Sequence, residues 1–145
     1  MSLENKILFR CDQNSISGFG HFSRCLNLAR FLKEEKNKKV YFLGNYSEFA
    51  QELLQQYEVE YLNIENKDFS YFNIDFFTNF SHLVIDSYLF GQDFINKITQ
   101  LPWFTIFIDD TCILDFSNVD LVINFRVNAE KIFNFGLCLP SGSNL

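Results

Sequence analysis

The chain has 145 residues with a net charge of -6, and 48% of its residues are hydrophobic. This length predicts one domain, and this composition excludes intrinsic disorder. The acidic balance argues against a nucleic-acid groove, which needs a basic face. No apolar run approaches the roughly 20 residues of a membrane span, and charges occupy the start, where a signal peptide would be apolar. We therefore expect a cytoplasmic protein with no membrane span and no nucleic-acid partner.

Short apolar runs alternate with helical patterns along the chain. Such alternation predicts an α/β domain in which helices cover a mostly parallel sheet. The predicted strands are residues 6–12, 39–44, 59–64, 82–88, 104–110 and 120–125. The four cysteines (Cys11, Cys25, Cys112 and Cys138) contain no Cys-x-x-Cys pair and have apolar neighbours. They are therefore expected to be reduced, mostly buried thiols rather than a zinc site or a disulfide framework.

Three helices are predicted between these strands. The first covers residues 21–36 and has an apolar stripe at helical spacing, formed by Phe22, Cys25, Leu26, Ala29 and Leu32. The second follows a Ser47 cap, with inward-facing residues Phe49, Leu53 and Tyr57. The third covers residues 92–101 and stops before Pro102. Residues 68–80 are rich in Phe without clean periodicity, and they are predicted only as a helix or an irregular crossover.

Several predicted strands end in a polar residue. Because the carboxyl ends of parallel strands form one edge, where ligands bind, these residues should lie on a shared edge: Asp12, Asp86, Asp109, Asp110 and Asn124. Aspartate also suits turns and helix caps, so each residue alone has a structural explanation. The repeated pattern favours a binding edge.

The loop after the first strand, residues 15–25, is the most specific feature of the sequence. Gly18 and Gly20 let the backbone approach a ligand closely, and the following helix offers unpaired N–H groups and a partial positive charge to an anion such as phosphate. The pattern is not the dinucleotide fingerprint, because Ser23 stands where its third glycine would fall. It is not a P-loop either, because no Gly-Lys-Ser/Thr follows.

His21 lies in the first turn of this predicted helix. The partial positive charge there disfavours the imidazolium, so the neutral form expected at pH 7 suits a general base. Arg24, one turn further on, is close enough to act with His21 or to contact a phosphate. The alternative interpretations are an exposed loop histidine and a solvated helix arginine. His82 lies at a strand start, away from this edge, and is given no role.

Residues 7–12 and 18–29, with the pattern Gly-x-Gly-His-x-x-Arg-Cys-Leu-x-Leu-Ala, resemble the opening of the UDP-sugar hydrolases of pseudaminic acid biosynthesis, the PseG/SpsG family. The later strand ends at residues 85–88, 108–110 and 120–124 match in order. Those enzymes resemble the MurG-type glycosyltransferases. The resemblance implies a three-layer Rossmann-like domain over residues 1–132, equivalent to the N-terminal half of a GT-B fold. Residues 133–145 would form a tail or the start of an interdomain linker.

The resemblance also implies an activity. Members of the family cleave UDP-2,4-diacetamido-2,4,6-trideoxy-β-L-altropyranose to UDP and the free sugar, without a required metal or cofactor. His21 would be the general base for a water that attacks the anomeric carbon. Glycine-loop N–H groups would stabilise the leaving diphosphate. Asp86, Tyr88 and Asp109 would hold the sugar or the water, and Asp12 would support the loop. The implied substrate-binding residues are Asp12, Gly18, Gly20, Arg24, Asp86, Tyr88, Asp109 and Asn124.

The sequence departs from the family at Ser87, where a histidine is usual. Because the family's C-terminal domain makes most nucleotide contacts, the resemblance also implies a C-terminal GT-B domain or a partner subunit. Three alternatives stay open. A MurG-like transferase half would use the same crevice for an acceptor hydroxyl, and a non-catalytic or degenerate subunit would need a separate C-terminal half. A phosphoacceptor receiver domain would bind Mg²⁺ at strand-end carboxylates. Such a domain needs a lysine after its final strand, whereas Phe125 and Arg126 occupy that place here.

Overall fold

The computed structural model describes residues 6–64 and 79–126, together with the backbone of two short strands near the C-terminus. The strands are β1 (Lys6–Cys11), β2 (Lys39–Gly44), β3 (Glu60–Asn63), β4 (His82–Asp86), β5 (Phe104–Ile108), β6 (Leu121–Ile123), β7 (Phe133–Asn134) and β8 (Leu137–Cys138). The helices within the described residues are α1 (Phe19–Lys36), α2 (Glu48–Gln56) and α3 (Gln92–Ile98). Strands β7 and β8 pair as an antiparallel ribbon.

The first six strands form one parallel sheet in the order β3-β2-β1-β4-β5-β6. Alternate strand residues enter separate cores on the two faces: Phe9 and Cys11 pack with α1 and α2, whereas Leu8 packs with the side chains of α3. Burial on both faces explains why the central strands are continuous apolar runs. The predicted three-layer α/β fold with a parallel sheet is confirmed. The strand order reverses between β1 and β4, which places a ligand crevice at their carboxyl ends.

Helices α1 and α2 form where predicted, but each differs from the prediction in one respect. Helix α1 begins two residues earlier, and its buried residues are among those predicted: Phe22, Cys25, Leu26 and Ala29. In α2 the Ser47 hydroxyl accepts a hydrogen bond from the Ala50 N–H, as its predicted cap role requires. The prediction that Phe49 faces inward is wrong, because the register set by this cap buries Ala50 and Leu54 and leaves Phe49 55% exposed.

Most predicted strands run one or two residues past the observed carboxyl end, and α3 ends at Ile98 rather than at residue 101. The strands stop early because their polar ends bond to loops instead of continuing the ladder. Asp109, for example, accepts hydrogen bonds from the backbone N–H groups of Thr111 and Cys112. The Phe-rich stretch at residues 68–80 lies outside the described residues except for its last two.

Two of the four cysteines, Cys11 and Cys25, are buried free thiols, as predicted. Cys112 is disulfide-bonded, so the prediction of a reduced thiol is wrong there. Pairing between distant cysteines depends on the fold and leaves no mark in sequence spacing. The side chain of Cys138 lies outside the described part of the chain. No helix within that part is long and apolar enough to cross a membrane.

Candidate active site at the carboxyl edge of the sheet

The crevice between β1 and β4 holds a pocket of about 340 Å³, lined by the glycine loop, His21, Asp12 and residues 86–89. Cys11 at the end of β1 is in register with Asp86 at the end of β4, so the two strand ends meet here. The pocket is at the lower end of the range of roughly 300–1,000 Å³ for small-molecule sites. A larger depression of about 540 Å³ is lined by Asn96, Thr99, Gln100 and Asn118, none of which supplies an acid or a base.

His21 and Asp86 form a close pair in this pocket. The Nδ1 atom of His21 lies 2.5 Å from Oδ1 of Asp86, whose side chain is fully buried, while the His21 side chain is 16% exposed. An ionised carboxylate only accepts hydrogen bonds, so the contact with Asp86 requires a proton on Nδ1. Arg24 Nη2, which is also a donor, lies 3.0 Å from the same nitrogen, and in this tautomer that contact is a close approach rather than a hydrogen bond. In the neutral ring with its proton on Nδ1, Nε2 is an acceptor. This arrangement is that of a histidine oriented by a carboxylate to act as a base.

Arg24 supplies the counter-charge for Asp86. Its Nε atom donates to Oδ2, and its Nη2 atom donates to Oδ1 at 2.6 Å. Burial opposes the Arg24 charge, but the hydrogen bond and the charge of Asp86 outweigh it and raise the pKa of Arg24. The Cys25 thiol lies 3.8 Å from Oδ2 of the same carboxylate. A hydrogen bond with Cys11 and burial raise the pKa of Cys25 well above its usual value, so the neutral thiol is a donor.

Tyr88 forms the wall beside the histidine. The Tyr88 and His21 ring centroids are 4.6 Å apart in an edge-to-face arrangement. The Tyr88 hydroxyl donates to Asp110 at 2.5 Å, and Arg126 Nε lies 3.2 Å from the other oxygen of Asp110. The hydrogen bond to Asp110 raises the pKa of Tyr88, so the phenol stays neutral.

The glycine loop leaves the start of α1 open. Asn14 shapes the loop by accepting the N–H groups of Ile16 and Ser17 through Oδ1, each at 2.8 Å. Gly18 is the N-cap, and within the described residues no side chain caps the helix and no acidic residue lies in its first turn. A Cβ atom at Gly18 or Gly20 would meet nothing within 4 Å. The first-turn N–H groups are therefore accessible to an anion.

Asp12 is buried at the floor of the crevice, with 1% of its surface exposed. Its Oδ1 atom accepts from Arg10 Nη1 and from the Asn45 N–H, each at 2.8 Å. Its Oδ2 atom has no hydrogen-bond partner among residues 6–64 and 79–126. Arg10, which is 2% exposed, was not predicted as a site residue. A cation that directly follows an apolar run in a strand, two residues before an aspartate, is the signal that would have found it.

Two predicted site residues, Asp109 and Asn124, do not line the pocket. The Asp109 oxygens accept three hydrogen bonds from its own turn. The side-chain oxygen of Asn124 accepts the N–H of Arg126. Of the other predicted residues, Arg24 reaches the pocket through Asp86, and Gly20 lies in the adjoining first turn of α1. The remaining predicted residues line the pocket: Asp12, Gly18, His21, Asp86 and Tyr88.

Asp110 and Arg126 have roles beside the site that the sequence did not predict: Asp110 accepts the Tyr88 hydroxyl and pairs with Arg126. Asp110 was placed on the edge by its position, but its bond to Tyr88 depends on loop conformation. Among residues 6–64 and 79–126, no group of three or more His, Cys, Asp or Glu residues is arranged to hold a metal ion. No protein-family model and no curated protein matches this chain.

Proposed function

We propose that this chain is the base-bearing domain of a UDP-sugar hydrolase, equivalent to the N-terminal half of a GT-B enzyme. Its substrate would be UDP-2,4-diacetamido-2,4,6-trideoxy-β-L-altropyranose or a close relative, as the motif resemblance implies. The observation that carries the proposal is the 2.5 Å contact between His21 and Asp86 in a pocket at the strand-order reversal. Both residues belong to stretches that resemble the hydrolase family.

The reaction begins with a water molecule held by Nε2 of His21. As Nε2 takes a proton, the water oxygen bonds to the anomeric carbon and the bond from that carbon to the diphosphate oxygen breaks. The bonding electron pair leaves with UDP, and the imidazolium passes its proton to solvent. Asp86 orients the ring and stabilises the imidazolium through the hydrogen bond at Nδ1.

The start of α1 suits the leaving group. Its uncapped N–H groups and partial positive charge stabilise the negative charge that develops on the diphosphate. Arg24 neutralises Asp86, which reduces the repulsion between that carboxylate and the phosphates. The pocket of about 340 Å³ is large enough for the sugar and part of the diphosphate. The uridine would contact a C-terminal GT-B domain or a partner subunit.

The test is UDP release from the diacetamido-trideoxy-altrose nucleotide, with protein in excess so that a single turnover is visible. His21→Ala should slow release by about 10²–10⁴-fold, the usual contribution of a general base. His82→Gln is the matched control, because His82 is the other histidine of the chain and lies at the start of β4. Equal, measurable rates of UDP release for wild type and His21→Ala would contradict the proposal. A MurG-like transferase would release UDP only with an acceptor hydroxyl present.

A further inference from the structure

We infer that Oδ2 of Asp12 is the acceptor for a hydroxyl or amide N–H on the sugar of the bound nucleotide. Asp12 would thereby determine which end of the ligand enters the floor of the pocket. The inference rests on the proposed function, since it takes the ligand to be a UDP-sugar. It goes further by assigning one atom to sugar recognition and by setting the direction of binding.

The Asp12 carboxylate is held in one orientation. Arg10 Nη1 and the Asn45 N–H both bind Oδ1 at 2.8 Å, so the group is not free to rotate. Oδ2 is buried and has no hydrogen-bond partner within the described parts of the chain, and Asp12 lines the pocket. A buried acceptor without a partner is unfavourable, and such atoms in native proteins are rare. A ligand donor would remove this deficit.

The other strand-end carboxylates are already committed. Both oxygens of Asp86 are bound by Arg24, with His21 on Oδ1. Asp109 is bound by its own turn. The oxygens of Asp110 contact Tyr88 and Arg126. Among these strand-end carboxylates, within the described part of the crevice, Oδ2 of Asp12 is therefore the oxygen that can accept a hydrogen bond from a ligand.

The chemistry of this atom excludes the diphosphate. A carboxylate paired with a cation accepts hydrogen bonds and repels phosphate oxygens, whereas it binds neutral O–H and N–H donors. The uncapped start of α1 has the opposite preference, because its N–H groups and partial positive charge favour an anion. The pocket therefore favours a hydrogen-bond donor of the ligand at Asp12 and an anionic group of the ligand at the start of α1. A nucleotide sugar matches both only with its sugar toward Asp12.

Asp12→Asn tests the contact with little change in shape. The asparagine oxygen can keep the contacts with Arg10 and Asn45, while its NH₂ group replaces the accepting Oδ2 by a donor. The matched control is Asp109→Asn, which removes the same charge at a carboxylate outside the pocket. Binding of UDP and of the diacetamido-trideoxy-altrose nucleotide is measured by calorimetry in a His21→Ala background, which prevents turnover of the nucleotide, with and without each of these two substitutions.

Asp12→Asn should weaken binding of the UDP-sugar by about 10- to 100-fold, as expected for a hydrogen bond to a charged group. It should change the Kd of UDP by less than about threefold, and Asp109→Asn should leave both values within that range. Equal losses for UDP and the UDP-sugar in Asp12→Asn, or no loss for either, would overturn the inference while His21-dependent UDP release stands. His21→Ala protein with Asp12 and Asp109 intact that binds neither probe would overturn the proposed function together with the inference.

Thermal unfolding shows whether Asp12→Asn folds. Because the substitution removes a partner charge of buried Arg10, a second measurement uses His21→Ala protein in which Asp12 is intact. UDP-sugars in which one hydroxyl is replaced by hydrogen, or one amide N–H by N-methyl, are compared in turn. One of these replacements should weaken binding at least about tenfold. Uniform binding across the whole set would contradict a specific donor to Asp12.

Discussion

The carboxyl edge of the sheet carries polar residues in two regions, the β1–β4 crevice and the β5–β6 end, which use them differently. In the crevice, Asp86 binds His21 and Arg24, and Asp12 keeps one oxygen without a partner in the described chain. At the β5–β6 end, Asp109 accepts hydrogen bonds from its own turn. An aspartate at this edge can thus either take part in a binding site or stabilise a turn. Its hydrogen-bond partners, not its position, distinguish the two roles.

The sharpest test of this comparison substitutes Asp86 and Asp109 in parallel. Asp86→Asn should lower single-turnover UDP release by up to about 10⁴-fold, because the histidine loses the group that fixes its tautomer. Asp109→Asn should change the rate by less than about threefold and lower the free energy of unfolding by about 1 kcal/mol through its turn. The rates and the urea midpoints check both expectations. If Asp109→Asn slowed release as much as Asp86→Asn, the two regions would not be distinct.

Gly20→Ala should separate stability from ligand binding. The new methyl group meets nothing within 4 Å, and alanine in a helix is more stable than glycine by about 0.5–1 kcal/mol. The same methyl group would occupy space before the uncapped start of α1, so we expect UDP to bind about tenfold more weakly. Gly91→Ala, at the N-cap of α3, is the control and should not change UDP binding. Tighter UDP binding by Gly20→Ala would rule out an anion at this helix start.

The Tyr88 phenol gives a pH-dependent test of the link to the β5–β6 end. Its raised pKa means that the neutral phenol is stabilised in the folded protein by its bond to Asp110. This contribution is fully present below the unfolded value near 10 and is lost as the pH rises through the folded value. Asp110→Asn should move the phenol titration, seen as the ultraviolet difference from Tyr88→Phe, back toward the ordinary range. An unchanged titration would mean that the bond is absent in solution.

His82 gives the smallest expected effect, on stability alone. Burial, followed by the charge of Lys38, lowers its pKa from the ordinary value of 6.5. The unfolded chain therefore takes up a proton first, and the free energy of unfolding falls as the pH drops below about 6.5 toward the folded value. His82→Gln should reduce this dependence in urea unfolding between about pH 7.5 and pH 5. A steeper dependence in the variant would contradict the assignment.

The fold follows from sequence where burial alone decides it. The apolar stripe of α1 can be buried on only one face of the helix, and the apolar strand runs can be buried only inside a covered sheet. Both elements were therefore predicted from the sequence. The prediction for the inward face of α2 is wrong because it rests on the size of the aromatic Phe49, whereas the Ser47 cap sets a register that buries Ala50. Capping geometry, rather than side-chain size, oriented that helix.

The site was predictable as a set of residues on one edge, but not as a set of contacts. The pairing of His21 with Asp86 requires β4 to lie beside β1, and the alternation of strands and helices does not order the strands. The bond from Tyr88 to Asp110 depends on two loops whose conformations follow no periodic pattern. The lack of a partner for Oδ2 of Asp12 depends on the positions of all the neighbouring hydrogen-bond donors, which only the structure gives.

The central claim is that His21, held by Asp86, activates water for attack on the anomeric carbon. Its most direct test is a single turnover of the UDP-sugar in water enriched in ¹⁸O, with mass analysis of both products. Hydrolysis at the anomeric carbon places the label in the free sugar, and His21→Ala should suppress its appearance by about 10²–10⁴-fold. Label in UDP would mean attack at phosphorus. Either that result or full labelling of the sugar by His21→Ala at the wild-type rate would contradict the mechanism.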